Sequence, residues 1–162
     1  MENLLTILSN KSLLMAMAVI ASSAMVYVFL NFEDKFLSFA GLSETAMIDR
    51  GHKLYNERCS SCHGVHLEGQ PNWKTPLSSG RLPAPPHDLS GHTWHHDDTT
   101  LIGITKLGLR PFVGGTYESD MPAFGTILRD EEIQAIISYI KNTWSERERV
   151  YQQQITRQTN SN

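Results

Sequence analysis

Hydrophobic and polar positions divide this chain into zones with different rhythms. The first is unbroken: no charged residue occurs from Ser12 to Phe32, and residues 13–20 and 25–30 are apolar throughout. A run of that length suffices for a helix to cross a bilayer. A helical rhythm follows, with Met47, Gly51, Leu54 and Tyr55 recurring up to Cys59, and Ser43 and Glu44 offering an N-cap and an acidic first turn. Near the other end, Ile133, Ile136, Ile137, Ile140 and Trp144 mark one apolar face. Asp130 is the expected cap there, with Glu131 and Glu132 in the first turn. Between these helices Pro71, Pro76, Gly80, Pro83, Pro85, Pro86 and Gly91 break the pattern too often for a long regular element. Asp97 or Asp98 then caps a predicted short helix from Thr99 to Leu107, closed by Gly108. The expected fold is all-α with a loop-rich middle, preceded by one N-terminal transmembrane helix.

The boundaries follow from the same pattern. Residues 1–32 form the expected membrane anchor, 33–43 a linker with apolar Phe36, Leu37 and Phe39, 44–145 the main domain, and 146–162 a polar C-terminal extension. Apolar residues continue well past Ala21-Ser22-Ser23-Ala24, which favours an uncleaved signal anchor over a cleaved signal peptide. Lys11 before the span and Glu33 and Asp34 after it place the N-terminus on the cytoplasmic side. In the extension, residues 146–154 are expected to prolong the last helix by a turn or two, and Thr156 onward has almost nothing to bury.

Composition adds little beyond exclusions. The 162 residues carry a net charge of −3, too small for a nucleic-acid partner or strong electrostatic steering. The chemistry lies in the two cysteines of Cys59-Ser60-Ser61-Cys62-His63, a spacing that is the attachment signature of a c-type haem. Each thiol can form a thioether to one vinyl group of a single porphyrin, and His63 is then held beneath the iron as proximal ligand. A zinc site would need further ligands, and the chain has no other cysteine. A redox dithiol would call for a strand before the pair, where this sequence reads as helix. No nucleophile, acid/base pair or second cofactor motif stands out, so an electron-transfer protein is expected rather than an enzyme, with no small-molecule substrate.

With these residues in place, the segment from about 44 to 145 resembles the class I mono-haem cytochrome c family in a membrane-anchored bacterial form. The resemblance implies N- and C-terminal helices crossing beside a single covalent haem c. Gly51 and Tyr55 would pack against Ile136 and Tyr139. It also implies a methionine as second axial ligand, and Met121-Pro122 stands where the family carries it. The iron ligands would then be His63 and Met121, a pair that raises the reduction potential. Arg81 and Trp94 are candidate partners of the haem propionates, being N–H donors suited to anionic oxygen.

His87, His92, His95 and His96 are of the right type to bind copper or zinc, or to replace Met121 on the iron. Trp94-His95-His96-Asp97-Asp98 also resembles a recurring segment of bacterial mono-haem cytochromes, in which the histidines pack, cap and hydrogen-bond. Haem attachment takes place outside the cytoplasm in bacteria. The expected location is therefore the inner membrane, single-pass, with the haem domain periplasmic. The implied function is carriage of single electrons between respiratory or photosynthetic complexes, with redox proteins or membrane complexes as partners. The alternatives are a fixed cytochrome subunit of a larger membrane oxidoreductase and a haem sensor or peroxidase-like enzyme.

Overall fold

The structure is a computed structural model that describes residues 15, 21, 22, 25–27, 43–114 and 116–161. The chain divides into two compact units, Met1–Glu44 and Thr45–Asn162. The stretch expected to cross a membrane lies mostly outside the described residues, as does the linker. Among the described residues no helix is long and apolar enough to span a bilayer. Ser43 and Glu44 are themselves helical, so Ser43 is not a cap.

Every regular element described in the second unit is helical. Helix α1 comprises residues 45–58. It is followed by α2 (Ser60–His63), a 3-10 turn (Thr93–His95), α3 (Asp98–Leu107), α4 (Arg110–Val113), α5 (Asp130–Asn142) and α6 (Glu146–Asn160). The isoleucine periodicity predicts α5 well: Ile133, Ile136, Ile137 and Ile140 are all buried, and Trp144 lies just beyond its end in the same core. Its cap differs from the expectation. Asp130 is the first helical residue and its carboxylate is taken by Lys106 Nζ at 2.7 Å. The Glu132 carboxylate instead reaches back to accept from the Arg129 N–H at 3.0 Å, satisfying one of the open donors of the first turn. Helix α3 begins where expected: Asp97 accepts from Thr100 N at 3.0 Å, and Gly108 ends it.

Helix α1 crosses α5 at Gly51. A Cβ built there would lie 1.9 Å from the Ala135 carbonyl oxygen and 2.9 Å from Tyr139 Cβ, so only glycine permits this approach. The Tyr55 and Tyr139 rings meet beside it with centroids 5.4 Å apart, and Ile136 is buried in the same core. The helix crossing implied by the family resemblance is therefore present, with Ala135 and Tyr139 at the contact point. An ion pair between Arg50 and Glu132 at 2.8 Å ties the same two helices.

The polar C-terminal segment contains a separate helix, α6, which begins after a break at residues 143–145 and runs through to Asn160. Its Tyr151 ring stands edge-on to Trp94 and His95 of the 3-10 turn, with centroids 5.6 Å from each, and its polar side chains bond the residues that follow. Gln152 is fully buried, with Nε2 at 3.2 Å from His96 O, 2.7 Å from Asp98 Oδ1 and 3.1 Å from Thr156 Oγ1. Thr156 Oγ1 in turn accepts from the Asp98 N–H. A helix held by polar side chains and a single aromatic ring has no apolar stripe in the sequence, so periodicity does not mark it.

Candidate haem site

The attachment segment is built on one helical turn. Cys59 N–H donates to Tyr55 O at 2.8 Å, and His63 N–H donates to Cys59 O at 2.9 Å. Cys59 and Cys62 are thus three positions apart on a turn and share a face. Cys59 is half-buried against the core and Cys62 is exposed. Burial, reinforced by the neighbouring Cys62, pushes the Cys59 thiol up to about 11. A redox dithiol needs a depressed thiol pKa, and the shift at Cys59 runs the other way.

His63 is buried, and its Nδ1 lies 2.8 Å from the Pro85 carbonyl oxygen. Desolvation lowers its pKa while the bond to Pro85 opposes the shift, so the ring is neutral at neutral pH. A carbonyl can only accept, so Nδ1 carries the proton and Nε2 keeps its lone pair. This is the tautomer an iron ligand needs, with an oriented outer partner. The loop that supplies Pro85 is drawn in by Gly69. A Cβ at Gly69 would fall 2.5 Å from Pro86 N and 2.7 Å from Pro85 C, and its φ of +68° is one that side-chain-bearing residues rarely adopt. Leu67, a non-glycine at φ 66°, turns its carbonyl to accept from His87 N–H at 2.7 Å. Tyr55 closes the far side: its hydroxyl donates to Gly64 O at 2.8 Å.

No sequence signal marked Pro85, because its contribution is a backbone carbonyl that every residue possesses. His87 was noted only for its ligand type. Its ring is stacked on His63 with centroids 4.0 Å apart and planes 22° apart, so it lies against His63 and not opposite it. Desolvation, with His63 and His92 adding, holds its pKa well below the ordinary histidine value. The remaining histidines form ring contacts: His92 stacks on Trp73 and meets His96 edge-on, and His95 stacks on Trp94. Among the described residues no group of three or more His, Cys, Asp or Glu side chains is placed to hold a separate metal ion.

Met121 is half-buried and packed against the same core as Cys59 and Trp94. Its loop is pinned on both sides. Phe124 N–H and Gly125 N–H donate to the Thr105 and Lys106 carbonyls at the end of α3, at 3.0 and 2.9 Å. On the other side Arg81 holds Asp120 at 2.6 Å and Glu118 at 2.7 Å. The Arg81 guanidinium is therefore already engaged with two carboxylates, but its Nε is buried with no protein partner, and so is Trp94 Nε1. By contrast, the Trp144 indole N–H donates to His87 O at 2.8 Å. Buried N–H groups are nearly always satisfied. Two orphan donors on the two residues expected to meet the propionates fit a bound porphyrin carrying anionic oxygens.

Comparison with known proteins agrees with this geometry. The family model for Cytochrome c matches residues 48–144. The chain is also similar to the quinohemoprotein alcohol dehydrogenase ADH-IIG of Pseudomonas putida, at 31% identity over 98 residues. That match covers 60% of this chain and 11% of the dehydrogenase. No solved structure matches significantly. From its attachment turn, its crossing helices and the family match across 48–144, the chain belongs to the cytochrome c family and binds covalent haem c through Cys59 and Cys62.

Proposed function

We propose that this cytochrome is a membrane-anchored carrier of single electrons in the periplasm, with His63 and Met121 as its two iron ligands. Electron transfer itself follows from the family. The observation that carries the finer reading is the His63–Pro85 bond, which leaves Nε2 as the free nitrogen of a neutral, buried imidazole. The haem supplies a one-electron iron couple. The chain supplies two ligands, a loop clamped by Arg81 and by the end of α3, and a buried setting. With His63 and Met121 both holding the iron, no position would be left for a substrate, and little rearrangement would accompany reduction. Arg81 Nε and Trp94 Nε1 are assigned to the propionates. The uncharged run from Ser12 to Phe32 supports the anchor.

A second reading, a cytochrome domain working inside a larger oxidoreductase, is favoured by the similarity to the quinohemoprotein alcohol dehydrogenase. Purification from mild detergent separates the two: a carrier elutes alone, whereas a subunit elutes in a fixed ratio with other chains. The ligand assignment is tested by optical spectroscopy. A near-infrared methionine-to-ferric-iron band, with no response of the reduced protein to carbon monoxide, is the expected result. Absence of the band together with carbon monoxide binding would remove Met121 from the iron and move the protein toward sensing or catalysis.

A further inference from the structure

The bond from His63 Nδ1 to Pro85 O selects the tautomer but only weakly fixes the ring plane, because hydrogen bonds to carbonyl oxygen tolerate a broad range of directions. A second restraint comes from His87, whose ring lies against His63 at a centroid distance of 4.0 Å with planes 22° apart. His87 is itself locked in place. Its N–H donates to Leu67 O at 2.7 Å, and its carbonyl accepts from Trp144 Nε1–H at 2.8 Å. Its Nδ1 lies 2.8 Å from Thr93 Oγ1. Thr93 is buried, and its hydroxyl donates to Pro86 O at 3.4 Å, so the threonine oxygen is free to accept from His87 Nδ1–H. The Tyr55 ring stands edge-on to His87, with centroids 6.4 Å apart and planes at 72°, and limits movement on another side.

We propose that His87 is a positioning residue for electron transfer: its stacked, hydrogen-bonded ring sets the plane of the His63 imidazole and thereby the electronic asymmetry and reduction potential of the iron. The inference rests on His63 being an iron ligand. An aliphatic side chain would fill the same space, but it would not present a flat face held at a fixed angle by a buried hydrogen bond. The orientation of an axial imidazole matters because its π orbitals overlap unequally with the iron d orbitals, and that inequality changes when the plane turns. Thr93 acts one step further out, by fixing the ring that fixes His63.

The test uses ferric holoprotein in three variants, His87→Phe, His87→Ala and Thr93→Val. Two readouts bear on plane orientation: the order and spread of the hyperfine-shifted haem methyl resonances in the proton NMR spectrum, and the reduction potential. His87→Ala is expected to reorder the methyl resonances and shift the potential. His87→Phe, which keeps the stacked face, should restore both toward wild type. Thr93→Val, which leaves the ring in place but removes its hydrogen-bond partner, should give a smaller change in the same sense. A merely structural role would lower stability while leaving the methyl pattern unchanged. That result in His87→Ala, with imidazole ligation still evident, overturns the proposal alone. Absence of imidazole ligation from the wild-type spectrum overturns both the proposal and the ligand assignment. If His87→Ala does not accumulate with haem, Thr93→Val and His87→Phe decide, since both lose the bond between position 87 and Thr93 and keep a ring there: small changes of the same sense in both support the positioning role, and wild-type spectra in Thr93→Val refute it.

Discussion

Replacing Gly51 by alanine tests the helix crossing on which the haem domain is assembled. The new methyl would sit 1.9 Å from the Ala135 carbonyl oxygen, where ordinary contact begins at 3.4 Å. The obstacle is backbone, so α1 and α5 must separate by about 1.5 Å along that line. A gap of half an ångström to one ångström already forfeits a quarter to a half of the dispersion energy across a contact. The Tyr55–Tyr139 pair and the neighbouring Ile136 would feel that loss. Overpacking of this kind costs about 1–3 kcal/mol, and the upper end applies where backbone is the obstacle. Alanine returns about 1 kcal/mol through its better helix propensity. The net expectation is a loss of about 2 kcal/mol, or roughly 8 °C in Tm for a domain of this size. Gly103→Ala is the matched control, because it makes the same chemical change inside α3. There the Cβ meets Phe112 Cζ at 2.5 Å, the far end of a side chain that is 42% exposed and free to swing away. Its propensity gain should survive as a stabilisation of up to about 1 kcal/mol. Thermal unfolding of the two holoproteins, followed by far-ultraviolet circular dichroism, should move in opposite directions. A Gly51→Ala variant that melts at or above the wild-type temperature would refute the crossing argument.

Three further outcomes are expected. Met121→Leu should lower the reduction potential, abolish the near-infrared band and make the reduced protein bind carbon monoxide; a variant that keeps the band shows that another group ligates the iron. Glu132 is held at about 2, first by the Arg129 N–H, then by the Arg129 and Arg50 side chains. Because the folded-state value is depressed, the unfolded chain binds more protons as the pH falls, and the Glu132 contribution is complete above about 4.5 and lost on the way down to 2. Glu132→Gln should therefore be less stable than wild type at neutral pH, with a difference that shrinks across that window; a gap that stays constant with pH removes the charge from the account. Gln152→Leu leaves His96 O without its side-chain donor and Asp98 with Lys141 as its remaining side-chain donor, at a cost of about 1–3 kcal/mol. Faster amide hydrogen exchange confined to residues 146–160 and the adjoining 3-10 turn is the signature, and unchanged protection there would show that other contacts hold α6.

What could be read from the sequence was local. Cys59, Cys62 and His63 are legible because attachment chemistry fixes their spacing within a single turn, and α5 because five apolar residues share one face. Helix α3 was legible because Asp97 and Gly108 mark its ends. Met121 stands out because no other methionine lies between the attachment site and the last helix. The features that complete the site depend on contacts between distant residues. Pro85 acts through its carbonyl, a group with no side-chain identity. The ring of His87 reached His63 only because Leu67 and Gly69 bend the intervening loop. The face that docks α6 joins one ring, Tyr151 against Trp94 and His95, to the hydrogen bonds of Gln152 and Thr156 with Asp98, which hydropathy does not register. The expected role of Arg81 was half visible: its type predicted an anionic partner, but Glu118 and Asp120 claim two of its nitrogens and leave Nε.

Placing both thioethers on one turn has a topological consequence. A disulfide stabilises by closing a long loop and so narrowing what the unfolded chain can explore. Cys59 and Cys62 close almost nothing, since both ends of the tether lie within a single turn. The long closures fall to reversible bonds: His63 to Pro85 across 22 residues, Arg81 to Glu118 and Asp120 across 37 and 39, and Trp144 to His87 across 57. Each can open without breaking a covalent bond, while the cofactor stays on the chain. Retention of the haem and closure of the fold around it are thus separate properties, and the loop carrying Met121 can let go and return without losing the haem.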